Sequence, residues 1–278
     1  MIARFELLKL RRSRRPLIAG ASLFLFLIML LLGFYTYAQN ETGGQADFRY
    51  TFENRSYFNG LTFTIYAFYF GVVLLLPIIV AMEGGSQIAG ETSDGTLQLL
   101  LARPLSVTRL FFTKIGIAFG FTALTVGVFL IIALTLGLLT VGWGDLNLYP
   151  GVLQMTDRPQ HLTQDEALRS FLLAWPAATL ALSAPLALSF LVSTWVHSPV
   201  NAVGISVSLY LILYVISEVH FFLELRPYLF TSYMAFWREL FQSNVHWHAL
   251  LADGSKLAGF ALVFIGLAYR RFRTQEVV

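Results

Sequence analysis

Six runs of about twenty mostly apolar residues punctuate the chain, each long enough for a helix to cross a hydrocarbon layer about 30 Å thick. They fall near residues 17–38, 61–82, 115–141, 171–195, 200–222 and 250–269. The composition agrees: of 278 residues, 56% are hydrophobic and 13% charged, against roughly 25% charged in a soluble domain. These observations predict an all-α, polytopic membrane protein with six transmembrane helices. The sixth run contains Asp253 and Lys256, so it is expected to begin inside the outer interface. No cysteine is present, which excludes disulfides, thiolate metal sites and cysteine nucleophiles.

The first run follows a basic stretch, as in a secretory signal, and Thr36 and Ala38 would supply the small residues of a cleavage site. Signal peptides carry apolar regions of roughly 7–15 residues, and 17–34 is longer, so an uncleaved first span is expected. Internal repeats and low-complexity linkers are not evident. The organisation expected is a single membrane domain over 1–278.

Lysine and arginine resist translocation and set orientation. Arg4, Lys9, Arg11, Arg12, Arg14 and Arg15 precede the first span. Arg103, Arg109 and Lys114 lie between the second and third, and Arg270, Arg271 and Arg273 follow the sixth. An even number of spans puts these regions on one side, so both termini are expected to be cytoplasmic. Segments 39–60, 142–170 and 223–249 then face outward.

In "MIARFELLKLRRSRR", Ile2, Phe5 and Leu8 recur every three residues, with Leu7 and Leu10 widening the stripe. This pattern suits an interfacial helix over 1–15, its arginines meeting anionic lipid heads. A topogenic positive cluster explains Arg11 to Arg15 without a fixed helix, though not the spacing of the apolar residues.

Between the second and third runs stands "GETSDGTLQLLLARP". Ser93 and Asp94 are good N-caps, whose side-chain oxygens accept from the free amides of a first helical turn. Leu97, Leu100 and Leu101 then share one helical face, and Pro104 stops the helix by disfavouring helical geometry at Arg103. The expectation is a short, stiff helix under the membrane that presents a leucine knob. Ser106 caps a second segment, "VTRLFFTK", leading into the third span. A helix of two turns is unstable alone, so it needs a partner surface.

At these residues the chain resembles the permease subunits of ABC-2 type transporters. Glu91, Gly95, Thr96, Leu97, Leu100, Pro104, Arg109 and Lys114 match the motif that follows the second span in that family. Chain length, six spans, an amphipathic amino-terminal segment and a long last external loop extend the resemblance. It implies that the helix over 91–103 is a coupling helix seated on a separate ATP-hydrolysing subunit. The contact residues would be Glu91, Asp94, Gly95, Thr96, Leu97, Leu100, Leu101, Arg103 and Pro104, with the leucines as apolar anchor. Glu91 would make a charged contact with that ATPase or with the amino-terminal helix; the plainer reading is that Glu91, Ser93 and Asp94 solvate and cap a loop. The resemblance also implies two permease copies, or this chain and a sister, around one pathway, and external re-entrant helices over 223–249. The host implied is bacterial and the location its cytoplasmic (inner) membrane.

No Gly-x-x-x-x-Gly-Lys-Ser/Thr stretch is present, so the phosphate cradle of an ATPase is missing from this chain. ATP and Mg would belong to the partner, with no cofactor, catalytic residue or metal held here. Membrane lipid is an expected partner, and nucleic acid is not.

Phe63, Tyr66, Phe70, Phe190 and Tyr210 are candidate path-lining residues, although lipid-facing aromatics would look the same. Glu218 and His220 lie near the outer end of the fifth span, where a carboxylate is either an interfacial residue or a substrate gate. His246 and His248 flank Trp247 and lack an evident third metal ligand. The segment "RPYLFTSYMAFWRELFQ" is aromatic and interrupted by Pro227, and is expected to form short helices in the outer leaflet. Pro77, Pro176 and Pro185 permit kinks within spans. The acceptor patterns at Asn40 and Asn54 have no role in a bacterial host. Asp145, Asp157, Asp165, Glu166, Arg158 and Arg169 read as a solvated external cap.

The leading functional expectation is an export permease driven by a separate ATPase. The alternative is a membrane enzyme or assembly scaffold, for which no paired intramembrane carboxylates, serine–histidine pair or HExxH stretch stands at suitable positions.

Overall fold

The computed structural model describes residues 15–43, 51–52, 55–56, 58–96, 106–149 and 159–274. Six helical segments are long and apolar enough to cross a membrane: Pro16–Thr36, Gly60–Ser86, Val107–Thr140, Gln164–Ser193, Pro199–Glu218 and Trp247–Thr274. Each overlaps one of the six apolar runs. The protein is a helical, multi-pass membrane protein, and the differences from expectation lie at span ends. The third span starts at Val107, because the segment behind Ser106 runs straight into it. The fourth starts at Gln164 behind a capping box, in which the Thr163 side chain and Glu166 satisfy each other's backbone amides. The interfacial helix expected over 1–15 and the leucine helix carrying Leu97, Leu100, Leu101, Arg103 and Pro104 lie outside the described residues, apart from Arg15 at the start of the first helix.

The second and fourth spans form the centre of the bundle. Their most apolar windows are 56% buried, against 17% for the first and 22% for the fifth and sixth. Lipid is as apolar as leucine, so helices associate in a membrane through close packing and hydrogen bonds. Glycines supply the closeness: a Cβ on Gly60 would lie 2.6 Å from the Gly137 carbonyl carbon, and one on Gly127 3.0 Å from the Trp175 indole. Trp175 Nε1 also donates to Ala123 O at 2.8 Å, joining the third and fourth spans.

Two spans are interrupted, each near a proline. The second contains a π-helical turn, Gly71–Leu75, directly before Leu76–Ser86 with Pro77 in its first turn. The fourth breaks at Leu182 between Gln164–Ala181 and Ser183–Ser193, where Pro185 cannot donate to the carbonyl of Ala181.

At one end of the bundle, here called the upper end, the expected solvated cap contains folded structure. Strand β1 (Leu146–Leu148) pairs antiparallel with β2 (Gln160–Leu162), Leu146 opposite Leu162, and both leucines are buried. Asn59 caps the second span through Leu61 N and Thr62 N, and its amide donates to Asp145 O at 2.8 Å. A second pair of two-residue strands, Thr51–Phe52 and Arg55–Ser56, joins the first span to the second. Asp157, Arg158 and Asn54 lie outside the described residues.

The aromatic segment behind the fifth span consists of short 3-10 helices, His220–Phe222, Arg226–Tyr228, Phe230–Tyr233 and Phe236–Phe241. It begins three residues before the expected boundary at 223 and closes at Phe241, because the sixth helix already starts at Trp247. Its rings are core: Trp237 meets Phe68 edge-to-face at 5.0 Å and Phe241 meets Phe171 at 4.9 Å, and both are fully buried.

Candidate functional site

At the opposite, lower end, the second span stops at Ser86. The chain turns through Gln87 and Ile88 and enters a five-residue helix, Ala89–Ser93. Such a helix needs outside help. Ser193, at the end of the fourth span, supplies it: its Oγ accepts from Ile88 N at 3.0 Å and Ala89 N at 2.9 Å. The helix closes at Gly95, whose φ of +66° is a left-handed geometry that glycine adopts without a Cβ penalty. Ser93 and Asp94 therefore end a helix, as its last residue and its C-cap. That corrects their expected role as N-caps, and the reason is the left-handed turn one residue later.

Glu91 points inward from this short helix. Its Oε1 accepts a hydrogen bond from Lys114 Nζ of the third span at 2.6 Å, and each side chain is 1% exposed. Within the bundle the carboxylate is engaged by a charge-assisted bond; the amino-terminal segment to which a contact was also expected lies outside the described residues. Thr96 Oγ1 closes the turn on Glu91 O at 3.3 Å. Asp94, Gly95 and Thr96 are exposed.

Beneath the pair lies a separate apolar cluster of Ile88, Leu110, Phe111, Ile115, Phe190, Ala268 and Phe272. Phe111 is its hub, with ring centroids 5.3 Å from Phe190, 5.3 Å from Tyr269 and 5.7 Å from Phe272. Thr108 and Tyr269 share a 2.8 Å hydroxyl contact. The segment behind the second span is thus tied to the third by an ion pair and to the fourth by a cap, while edge-to-face and tilted rings join the third span to the sixth. Nearby, Glu83 is 2% exposed and accepts from Gln87 Nε2.

The candidate path residues fall in different places. Phe63 is buried at the upper end of the second span, its ring 5.7 Å from Phe34, and Tyr66 lies 6.1 Å from the same ring. Phe190 belongs to the lower cluster, and Phe70 is 37% exposed beside Tyr69. Tyr210 and Glu218 come together at a cavity of about 60 Å3 near the π-helical turn, lined also by Tyr214, Thr231, Ser232 and Arg238. That is room for a few waters. The Tyr210 hydroxyl donates to Val73 O at 2.5 Å, Thr231 Oγ1 donates to Leu213 O at 3.0 Å, and Arg238 lies over the Tyr69 ring at 5.1 Å. His220 is exposed and outside this lining.

Sequence reasoning passed over Glu83, Ser193 and Arg238, and treated Lys114 as a topogenic charge and a motif residue. A carboxylate one residue beyond the expected span end was the only signal for Glu83. Among the described residues no group of three or more His, Asp or Glu could hold a metal ion. His246 instead lies 3.7 Å from Glu239.

Six spans tied together at one end by an ion pair, a serine cap and an aromatic cluster make a multi-pass membrane protein. The family model described as ABC-2 family transporter protein matches residues 2–157, and the chain belongs to that family. It is a membrane component of an ABC-2 transporter. A search of curated proteins found no match.

Proposed function

We propose that this chain is the permease subunit of an ATP-driven exporter, working as a pair of membrane subunits with separate ATPase subunits that carry ATP and Mg. The lower end is cytoplasmic, in the inner membrane of a bacterium. The segment 91–103 is its coupling element, with Leu97, Leu100 and Leu101 docked on the ATPase and Asp94, Gly95, Thr96, Arg103 and Pro104 around them.

The observation that carries this reading is the buried Glu91–Lys114 pair. A coupling element must transmit a push rather than absorb it. The pair, with the Ser193 cap, clamps the start of the segment to the third and fourth spans. Movement of 91–103 then reaches the bundle as a rigid displacement. The cavity with Tyr210 and Glu218 reaches from the middle of the second and fifth spans towards the upper end of the same bundle, and its position beside an interrupted helix supports a gate there, with Phe63, Tyr66, Phe70, Phe190 and His220 as further candidates along the path.

Purification of the full chain with the ATPase encoded beside it tests the proposal. Leu97→Asp with Leu100→Asp is expected to abolish copurification while membrane insertion persists. Full retention of the ATPase by that variant refutes the docking assignment.

A further inference from the structure

A groove of about 350 Å3 opens at the lower end between the last turn of the fourth span and the last turns of the sixth. Leu191 and Leu267 form its apolar wall; Trp195, Arg270, Arg271 and Thr274 form its rim. The Arg271 guanidinium lies over the Trp195 ring, 5.1 Å from its centroid. Both arginines are exposed, and among the described residues neither meets a carboxylate. Two adjacent cations are thus held at one edge of a groove, with no carboxylate against them among the described residues.

The rim and the wall ask for different halves of one ligand. Tryptophan beside arginine at a helix end marks the headgroup level of a bilayer, and a guanidinium binds a phosphate through paired N–H donors. Leucines 191 and 267 continue the groove along the spans, where only an acyl chain meets them favourably. A soluble phosphate leaves the apolar wall unused. A zwitterionic headgroup brings its own cation to a rim that already carries two.

We propose that this groove is a binding site for an anionic glycerophospholipid, its phosphate between Arg270 and Arg271 and one chain along Leu191 and Leu267. The proposal stands whether or not the chain partners an ATPase.

The full chain is reconstituted into vesicles of phosphatidylcholine containing either brominated phosphatidylglycerol or brominated phosphatidylcholine. The protein has five tryptophans, so the Trp195 signal is the difference between the natural chain and Trp195→Phe. Each basic side chain near an anionic surface enriches such lipid by about fivefold. Brominated phosphatidylglycerol is therefore expected to quench Trp195 at a several-fold lower mole fraction than brominated phosphatidylcholine. Arg270→Gln with Arg271→Gln should bring the two lipids to parity, while the paired lysine substitutions keep a preference. Equal quenching by both lipids in the natural chain overturns the proposal without reference to any variant. So does a preference that survives the double glutamine substitution, or one abolished by soluble glycerol phosphate, which would identify a phosphate site rather than a lipid site.

Discussion

The hydroxyl of Tyr210, on the fifth span, donates to the carbonyl of Val73 on the second, four residues ahead of Pro77. In an uninterrupted helix that carbonyl would accept from residue 77, which as proline has no N–H to give. Nothing in hydrocarbon replaces a lost backbone bond except another protein group or a trapped water. Tyr210 therefore completes the backbone of a neighbouring span, and the π-helical turn Gly71–Leu75 is stabilised from outside its own helix. Such turns are frequent at functional sites, and this one borders the cavity that Tyr210 and Glu218 line.

Tyr210→Phe is expected to lower the stability of the purified chain by about 1–2 kcal/mol, within the range for an orphaned buried acceptor and for hydrogen bonds between membrane helices. Pro77→Ala returns an N–H to the helix, so the same Tyr210→Phe change should cost clearly less in that background. Thermal unfolding in detergent of the four proteins closes the cycle, and equal costs in both backgrounds refute the relationship.

Glu91→Gln should be among the most damaging single changes at the lower end. It leaves Lys114 buried without its carboxylate, a situation that costs about 3–5 kcal/mol. Replacing both residues by apolar ones, Glu91→Leu with Lys114→Met, should recover most of that loss, because neither member of the pair is then left as a buried charge without the other. Unfolding midpoints of the single and double variants distinguish a structural pair from two independent charges.

Ser193→Ala removes the acceptor for two amides at the start of the five-residue helix, a loss of about 1 kcal/mol by analogy with other N-caps. The effect should be local. Hydrogen exchange is expected to speed up at Ile88 and Ala89, with the central turns of the second span unchanged.

Glycine contacts separate packing from propensity. Gly60→Ala would drive a methyl into the backbone at Gly137, and should destabilise by about 1–3 kcal/mol through overpacking. Gly116→Ala and Gly120→Ala meet no atom within 4 Å, and should be neutral or stabilising by up to about 1 kcal/mol from helix propensity. Thermal denaturation of the three variants decides the matter.

Orientation is open to direct test because the natural chain has no cysteine. Asn244 and His197 are both exposed, at opposite ends of the bundle. Asn244→Cys should react with a membrane-impermeant maleimide in intact cells, and His197→Cys only after permeabilisation. The reverse pattern would invert the assigned topology.

Much of the architecture was legible beforehand. Each of the six apolar runs became a span, and the kinks near Pro77 and Pro185 stood where a missing N–H required them. The ends were less legible. Ser93 and Asp94 have the side chains of N-caps, yet the left-handed turn at Gly95 makes them a helix terminus. Segment 142–170 looked like a polar loop because its apolar residues are few, but Leu146, Leu148 and Leu162 become buried once the strands pair. In the candidate site, the importance of Glu91 and Lys114 could be read from the motif, and their contact with each other could not.

Which segments enter the membrane, and how often, depends on a sum of transfer free energies over about twenty neighbouring residues, and the sequence alone determines such a local sum. Which residues then meet depends on how each helix is rotated and where it crosses its neighbours. Lys114 reaches Glu91 across 23 positions, Ser193 reaches Ile88 across 105, and Tyr210 reaches Val73 across 137. Those rotations are set by close approaches such as Gly60 on Gly137, contacts between distant positions that no local pattern encodes. Only the packed bundle decided them.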